Sequence, residues 1–360
     1  MSALSFARGA PSLDIIDVEG LRDAAQRAFA NDPGGMTAYG TAVGYVPLRR
    51  WIAERHGVDE ACVMVTNGSM QADAFLFDEL VGVGDEVIVE RPSYDRTLLS
   101  LRSHGAALRA IELEPDGIDT EALADALSAG ARPKLAHIIP NFHNPAGYTL
   151  SGPKRARLLE LARDHSFTIF EDDPYIALRF RGETLPTMLS LDGDGGNVVY
   201  ASSFSKTVCP GIRVGFLIGP PELIARIVAR ATNTYISPSM VDAAIVYEFC
   251  VSGSIDRSIE RVRGALEQRA GALAAALREK VPGASFVLPD GGYFLWVKLP
   301  DGVDPAAVLK AAGERKLALV SGDDFVLDGG SGAVRLAFAG VTPEEIREGV
   351  GRLAQALAAL

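Results

Sequence analysis

The sequence predicts an α/β protein: a three-layer large domain on a mostly parallel sheet, with a smaller α+β domain formed by the C-terminal part and the N-terminal arm. Three observations carry that expectation. Short apolar runs alternate with longer amphipathic segments between about residues 62 and 218. Continuous apolar strands separated by helices mark a parallel sheet covered on both faces. From about Pro220 the alternation gives way to helical patterning. The residues able to do chemistry fall just past the apolar runs, and the carboxyl ends of such strands are where an α/β sheet holds its ligand.

In chain order, residues 1–17 read as an irregular arm containing Gly9 and Pro11. A helix is expected from Val18 to Ala30, closed by Asn31-Asp32-Pro33-Gly34-Gly35. After Met36 to Tyr45, a second helix runs from Pro47 to His56, with proline at its start and Gly57 at its end. The apolar runs, each read as a strand, are Cys62–Thr66, Glu86–Val89, Ala107–Glu112, Leu135–Pro140, Phe167–Phe170, Val198–Ala201 and Val214–Ile218. Helices fill Ser69–Val81, Ser93–His104, Asp119–Ser128 and Ser151–His165, while 192–196 is a loop. Ser254 to Lys280 reads as one long helix leading to the second domain. That domain is expected to hold strands Ser285–Leu288 and Tyr293–Leu299, hinged by Pro289-Asp290-Gly291-Gly292. A helix near Pro305–Lys316, a strand near Val334–Phe338 and a last helix from Pro343 complete it. The expected divisions are 1–35, an arm and helix packing with the small domain; 36–255, the large domain; and 256–360, the small domain.

The chain has 360 residues, 48% of them hydrophobic, enough for two domains with a sizeable core. Its formal net charge of −11 and the lack of any basic run argue against nucleic acid or an anionic membrane as partner, though not against small anions held by local arginines. Cys62, Cys209 and Cys250 are scattered and form no metal-binding spacing, which points to a reducing compartment. The N-terminus lacks a secretory pattern, and no apolar run approaches the roughly 20 residues of a membrane span. A cytoplasmic protein is expected.

Chemistry concentrates in 201–215, where Lys206 follows Ser202, Ser203 and Ser205, and Arg213 comes seven residues later. A lysine among small residues loses its proton more readily and becomes a nucleophilic amine. Hydroxyls and a guanidinium suit a phosphate. An imine-forming lysine beside a phosphate site is what pyridoxal phosphate requires; a solvated surface lysine is the plainer alternative. Thr66-Asn67-Gly68-Ser69-Met70 joins a strand to a helix and would offer backbone N–H groups to an anion, or be an ordinary Gly-Ser cap. Asn144, in Asn144-Pro145-Ala146-Gly147, would project at a strand end where its amide could donate to a phenolate-like oxygen, unless this is a simple turn; His143 beside it reads as a loop histidine. Asp172, in Glu171-Asp172-Asp173-Pro174-Tyr175, could pair with a protonated pyridine nitrogen, with Tyr175 within reach of the same ligand; an acidic capping turn would look alike. Tyr94 could stack on a flat ring or merely pack. Arg335, alone in the apolar strand Val334–Phe338, is either a structural ion pair or a clamp for a substrate carboxylate.

The order of these stretches, with Lys206 and Arg213, the Asn144-Pro-x-Gly turn and Asp172-x-x-Tyr175, resembles the fold type I pyridoxal phosphate aminotransferases of the aspartate aminotransferase superfamily. The resemblance covers essentially the whole chain. TAYGTAVGYVPLRRWIAERHGV, NPAGYTLS and SKTVCPGIRVG are similar to the branch of 2-aminoadipate aminotransferases and the aminotransferase-like domains of some transcriptional regulators. It implies that Lys206 forms the internal aldimine and shuttles the proton. Asp172 would hold the pyridinium nitrogen, Tyr175 and Asn144 the ring hydroxyl oxygen, and Tyr94 would stack on the ring. Ser69, Met70, Ser203, Ser205 and Arg213 would hold the phosphate, joined by Tyr39 from the neighbouring subunit, which implies a homodimer. Met70 replaces a glutamine common there, so a backbone contact would survive and a side-chain contact would not. Arg335 would bind the substrate α-carboxylate, with Asn144 and Gly40 beside the substrate and Arg8 a candidate for a distal carboxylate. Arg8 as a surface arginine or subunit salt bridge is the alternative.

The implied reaction moves an amino group from an L-amino acid to a 2-oxo acid. Another reaction on the same scaffold, a β-lyase, decarboxylase or oxidase, uses the same lysine and aspartate. A non-catalytic effector-binding domain is the remote alternative. The regulators carry an additional N-terminal DNA-binding domain, which this chain, starting almost at the arm, is expected to lack.

Overall fold

The computed structural model describes residues 2–360; Met1, at the tip of the expected arm, lies outside the described residues. The first part of the chain forms β1 (Leu4–Ser5), α1 (Val18–Asn31), α2 (Pro33–Thr37), α3 (Val46–His56), β2 (Val63–Thr66), α4 (Ser69–Leu80), β3 (Glu86–Arg91), α5 (Asp95–Ser103), β4 (Ala107–Glu114) and β5 (Gly117–Ile118). Next come α6 (Thr120–Ser128), β6 (Pro133–Ile138), α7 (Gly152–His165), β7 (Thr168–Asp172), α8 (Met188–Asp192), β8 (Val198–Ser203), β9 (Gly215–Ile218), α9 (Pro221–Tyr235) and α10 (Met240–Val251). The remainder is α11 (Ser254–Lys280), β10 (Phe294–Lys298), α12 (Pro305–Glu314), β11 (Leu317–Ala318), β12 (Val320–Ser321), β13 (Ala333–Ala337) and α13 (Pro343–Leu357).

The large sheet has eight strands in the order β2-β9-β8-β7-β6-β3-β4-β5. From β8 through β7, β6 and β3 to β4 every pairing is parallel, whereas β9 runs antiparallel to both β2 and β8. The two-fold alternation of strand side chains sorts the helices into two layers. On β2, Val63 and Val65 join the core under α1, α3 and α10, while Met64 between them joins the core under α4, α5 and α9. Ile88, Ala136, Ile138 and Ile169 pack against α6 and α7. Apolar side chains on both faces explain why these strands read as unbroken apolar runs.

The small sheet, β10-β13-β12, is antiparallel and packs with α11, α12 and α13. Its core includes Leu266 and Leu273 of α11, Phe294 and Val297 of β10, and Leu353 of α13. Helix α11 serves both cores: Ile255 and Ile259 lie in the large-domain cluster, and Val262 onward in the small-domain cluster.

Several expectations need correction. Ser285–Leu288 is not a strand; Ser285 makes a single bridge with Lys298 and the backbone then leaves the sheet edge. Pro289 has no N–H to continue a ladder, and the turn after it bonds elsewhere: Phe180 and Arg181 N–H donate to the Asp290 carbonyl, and Gly292 N–H to that of Leu178. The arm is less irregular than expected, since Leu4–Ser5 pairs in parallel with Leu317–Ala318. Leu4, Phe6 and Ile15 pack into the small-domain core, but α1 does not follow them; its Ala24 and Ala28 pack with α10 and α3 of the large domain.

The arm is held to the small domain by a buried guanidinium. Arg269 of α11, 2% exposed, donates to Ser12 Oγ at 2.9 Å, to Asp14 Oδ2 at 2.6 Å and to the Ala339 carbonyl. Arg269→Met should destabilise the protein by about 1–3 kcal/mol, the usual cost of buried acceptors left without a donor. Denaturant unfolding measures the loss, and hydrogen exchange should show the amides of residues 4–15 losing protection before those of the large sheet.

Candidate active site

The parallel strands deliver their following residues to one edge of the sheet, and β9, being antiparallel, starts from that same edge. A cavity of about 180 Å³ there is lined by Ser69, Met70, Asp73, Tyr94, Ile139, Asn144, Asp172, Pro174, Tyr175, Ser203, Ser205, Lys206, Pro210 and Arg213. Ten of the fourteen residues singled out from the sequence therefore meet around it, the other four being Arg8, Tyr39, Gly40 and Arg335.

One end of the cavity is built for an anion. Gly68, at φ +85°, turns β2 into α4, and no side chain caps that helix, so its first N–H groups remain free to face a ligand. A Cβ on Gly68 would come within 2.2 Å of Arg213 Nη2, and one on Gly215 within 2.6 Å of the Ser69 nitrogen. Glycine at both positions lets the guanidinium and β9 close on the helix start. Arg213 Nη1 donates to Ser205 Oγ at 3.3 Å, and Nη2 to the Asn67 carbonyl at 3.4 Å. Ser203 Oγ donates to Ser205 Oγ at 2.9 Å, so Ser205 is the hydroxyl that the guanidinium touches and Ser203 supports it.

The alternation of β7 separates the three acids that the sequence left together. Glu171 points away, accepting from Met188 N–H at 2.8 Å and Leu189 N–H at 2.9 Å; burial raises its carboxyl to about 7. Asp173 accepts from Asn141 Nδ2 at 2.7 Å, and burial, reinforced by Glu171, raises it to about 8. Asp172 alone lines the cavity. His137 Nε2 lies 3.4 Å from its Oδ2, and its buried Oδ1 has no partner. A buried carboxylate oxygen left open demands a donor from a ligand.

Lys206 Nζ donates to the Gly9 carbonyl of the arm at 2.9 Å and sits 5.1 Å from the Tyr293 ring centre and 5.8 Å from that of Tyr175. Burial, then the positive charges of Arg213 and Arg335, lowers its ammonium from 10.5 to about 8, against the opposing pull of Asp172. Tyr94 precedes α5 on another wall, its phenol raised to about 12 by burial and by Asp95. Tyr175 is buried against Tyr293 and Phe294, and burial raises its phenol well above the usual range.

Arg335 stands between Phe294 and Phe325, 4.6 and 4.8 Å from their ring centres. Its Nη1 donates to Asn144 Oδ1 at 2.8 Å and its Nη2 to the Ala7 carbonyl at 2.7 Å. Because a guanidinium only donates, Asn144 meets it with oxygen and keeps its Nδ2 for another acceptor. Gly40 packs against Met240, and Tyr39 is 92% exposed; neither reaches the cavity of its own chain. Arg8 is exposed, but its neighbours Ala7 and Gly9 give their carbonyls to Arg335 and Lys206.

Sequence reading missed the supports. Arg155 of α7, fully buried, donates to Asn141 Oδ1 at 2.9 Å and to the Leu150, Pro186 and Pro140 carbonyls, fixing the turn that carries Asn144. His143 Nε2 lies 3.0 Å from buried Glu90, and its Nδ1 accepts from Ala146 N–H at 3.4 Å within the same turn. Asp73 of α4 was missed as well. A signal existed: Arg155 and Asp73 fall three and four residues before apolar pairs, Leu158/Leu159 and Leu76/Phe77, on the faces those pairs bury. Taken together, the uncapped helix start with Arg213 and Ser205, the open Asp172 oxygen and an amine of lowered pKa fit pyridoxal phosphate: an anion cradle, a partner for a cationic ring nitrogen and an imine-forming lysine.

Comparisons with known proteins point to the same cofactor. The family model described as aminotransferase class I and II matches residues 3–353. The 2-aminoadipate transaminase of Thermus thermophilus is 33% identical over 361 residues, spanning 99% of this chain and 90% of the relative. Aromatic-amino-acid aminotransferase 1 of Thermococcus litoralis is 31% identical, spanning 98% and 88%. Among solved structures, the alpha-aminoadipate aminotransferase from Thermus thermophilus, complexed with N-(5'-phosphopyridoxyl)-L-leucine, superposes with a TM-score of 0.94 at 33% identity, covering 99% of this chain and 92% of that one.

The lowered lysine has a measurable sign. With its midpoint at about 8, roughly a tenth of Lys206 is free amine at pH 7, against well under a thousandth for an ordinary lysine. In cofactor-free protein, the rate of Lys206 acylation, followed by peptide mapping, should rise with pH and level off above about 8. Arg213→Met should move that bend upward by removing a positive neighbour. A bend at the ordinary lysine position in the wild type would refute the reading.

Proposed function

The chain belongs to the aminotransferase class I and II family, and we propose that Lys206, Asp172 and Arg335 divide the work of its pyridoxal phosphate-dependent transamination. When bound, the cofactor supplies an aldehyde carbon that condenses with amines and a cationic ring that draws electrons from the carbon bearing the amino group. Lys206, enclosed with a lowered pKa, serves as the amine that binds it. The same Nζ, once freed, takes the proton from the substrate α-carbon. Asp172 keeps the ring nitrogen charged through its open Oδ1. Asn144 Nδ2 and Tyr175 serve the ring oxygen, and Tyr94 covers the ring. Ser69 and Met70 N–H groups, Ser205 backed by Ser203, and Arg213 hold the phosphate.

Arg335 binds the substrate α-carboxylate. Its two N–H ends now rest on Asn144 and the Ala7 carbonyl, and the neighbouring phenylalanines help to shield the planar guanidinium from water, which strengthens a bidentate grip. In this division residues 36–255 carry the cofactor and 256–360 supply Arg335. Arg8, borne between the two arm carbonyls at the site, is our candidate for a distal carboxylate. Relatives named for 2-aminoadipate and for aromatic amino acids support testing acidic and aromatic donors side by side.

We further propose a homodimer in which Tyr39 reaches the phosphate of the partner subunit. A tyrosine 92% exposed, two residues past α2 and outside its own cavity, supports this. No described helix is long and apolar enough to cross a membrane, and the three cysteines are free, which supports a cytoplasmic setting.

The observation that carries the proposal is the enclosure of Lys206 between the open carboxylate of Asp172 and the Ser205–Arg213 cradle. Purified protein should show the visible band of a lysine-bound cofactor. With one donor from an amino acid panel, and no oxo acid present, that band should give way to the ultraviolet band of the aminated cofactor, and a 2-oxo acid should restore it. Turnover that never depends on a 2-oxo acid would favour a lyase or decarboxylase instead. Lys206→Ala should lower the rate by at least about a hundredfold, the lower range for a lost general base.

Mixing inactive Lys206→Ala and Tyr39→Phe subunits tests the assembly. Hybrid dimers should regain part of the wild-type activity, because one of their two sites carries both native residues. Failure of mixed and refolded subunits to recover activity would count against a shared site.

A further inference from the structure

One acid in the cavity wall has no task in this division of labour. Asp73 begins the second turn of α4, is 4% exposed and lines the cavity with Asp172, Tyr94 and Lys206. Its Oδ1 is buried without a hydrogen-bond partner. No ion pair reaches it among the described residues. Its surroundings offer negative charge and no nearby cation to balance it. Asp172 acts on it from β7, with His137 of β6 on Asp172 Oδ2, and Tyr94, just before α5, feels the charges of Asp73, Asp95 and Asp172 together. Of the other elements packed against α4, β2 and β9 bring no titratable side chain, and Tyr200 of β8 lies on the opposite face of the sheet. Arg226 and Arg230 of α9 are taken by Glu79, further along α4. Lys206 and Arg213, across the cavity, donate to Gly9 and to Ser205 and Asn67.

We propose that Asp73 is a neutral carboxylic acid that donates a hydrogen bond to the open Oδ1 of Asp172, so that one negative charge, and not two, faces the ring nitrogen of the cofactor. The geometry leaves two ways to carry a buried acid with no cation. Ionised, it meets desolvation and the repulsion of Asp172, both larger than the relief given by its own backbone N–H. Protonated, it becomes a donor, and the unfilled acceptor on the same wall is Asp172 Oδ1. Burial, then the charge of Asp172, drives the Asp73 carboxyl well above its usual range, which favours the protonated form. Asp172 Oδ1 has two lone pairs, one to accept from Asp73 and one kept for the ring nitrogen; with His137 on Oδ2, Asp172 is fixed in direction and its charge is moderated. Asp73 is thus a positioning residue that sets how strongly Asp172 holds the ring cation, and this rests on the reading of Asp172 as the pyridinium partner.

Two measurements test it. The first uses cofactor-free protein and does not depend on that reading. An acid whose folded pKa is raised stabilises the fold fully only below its unfolded pKa, and this stability is lost as pH rises toward the folded value. Between about pH 5 and 7, above the ordinary carboxyl pKa of about 3.9, the unfolding constant of wild type relative to Asp73→Asn should therefore rise about tenfold per pH unit. A pH-independent ratio would overturn the proposal. Should the asparagine variant not fold, Asp73→Leu is compared in the same way.

The second follows the pH titration of the visible band in holoenzyme. Asp73→Asn, neutral and still a donor, should titrate with the wild type, whereas Asp73→Leu, which lacks a donor, should titrate at a different pH. A shift with asparagine as large as that with leucine would mean that Asp73 carries charge, and no shift with either would mean that it does not touch the Asp172 pair; both overturn the proposal. Asp172→Asn is the control. If that variant also titrates as the wild type, the pyridinium reading of Asp172 is what fails, while the cofactor-free result still decides whether Asp73 holds a proton.

Discussion

A guanidinium buried between two aromatic rings binds three distant pieces of chain to one point. Arg335 stands on a strand of the small sheet, bonds Asn144 from the turn after β6 and bonds Ala7 from the arm. A buried charge requires that its donors be met. That requirement brings the small domain, the large domain and the arm to the same cavity. The phenylalanine pair excludes water on both faces, so that the donors are strong and already aimed. Two parts of the site depend on this convergence: Asn144 is held through its Oδ1, and the arm that bonds Lys206 is anchored beside it.

The large sheet was legible because its physics is repetitive. Each strand is buried on both faces and each helix on one, so apolar runs and amphipathic stretches alternate with little ambiguity. The site followed from chemistry that few other contexts tolerate: Lys206 among serines, and Asp172 at the end of an apolar strand. Other features were hidden for physical reasons. Ser285–Leu288 has the composition of a strand, but a strand needs a partner ladder, and Pro289 with the bonds of the 290–292 turn denies it one. The antiparallel course of β9 leaves no mark on its own residues, because a fully buried strand looks the same in either direction.

The acids after β7 show where residue type ends and geometry begins. Glu171, Asp172 and Asp173 are chemically near-equivalent in the sequence. The pleat sends the middle one to the cavity and its neighbours to the Met188 and Leu189 amides and to Asn141. Fixing these neighbours also fixes the strand end, since Asp173 is linked through Asn141 to Arg155 and so to the Asn144 turn. The strand end that carries Asp172 and the turn that carries Asn144 thus share one rigid frame, which no single motif discloses. Asp73 and Arg155 are isolated ionisable residues within apolar helical faces. Such placement can be read from a sequence as a buried polar group, but its partner becomes visible only when the chain is folded.

The arm meets the site through main-chain carbonyls, Ala7 to Arg335 and Gly9 to Lys206. A carbonyl is present whatever side chain its residue bears. The contact is therefore written in chain length and not in residue identity. Substitutions along the arm leave the acceptors in place, whereas inserting or deleting one residue between Phe6 and Gly9 would slide both out of register at once. The exposed side chain at position 8 is then free to vary without loosening the strap that carries it.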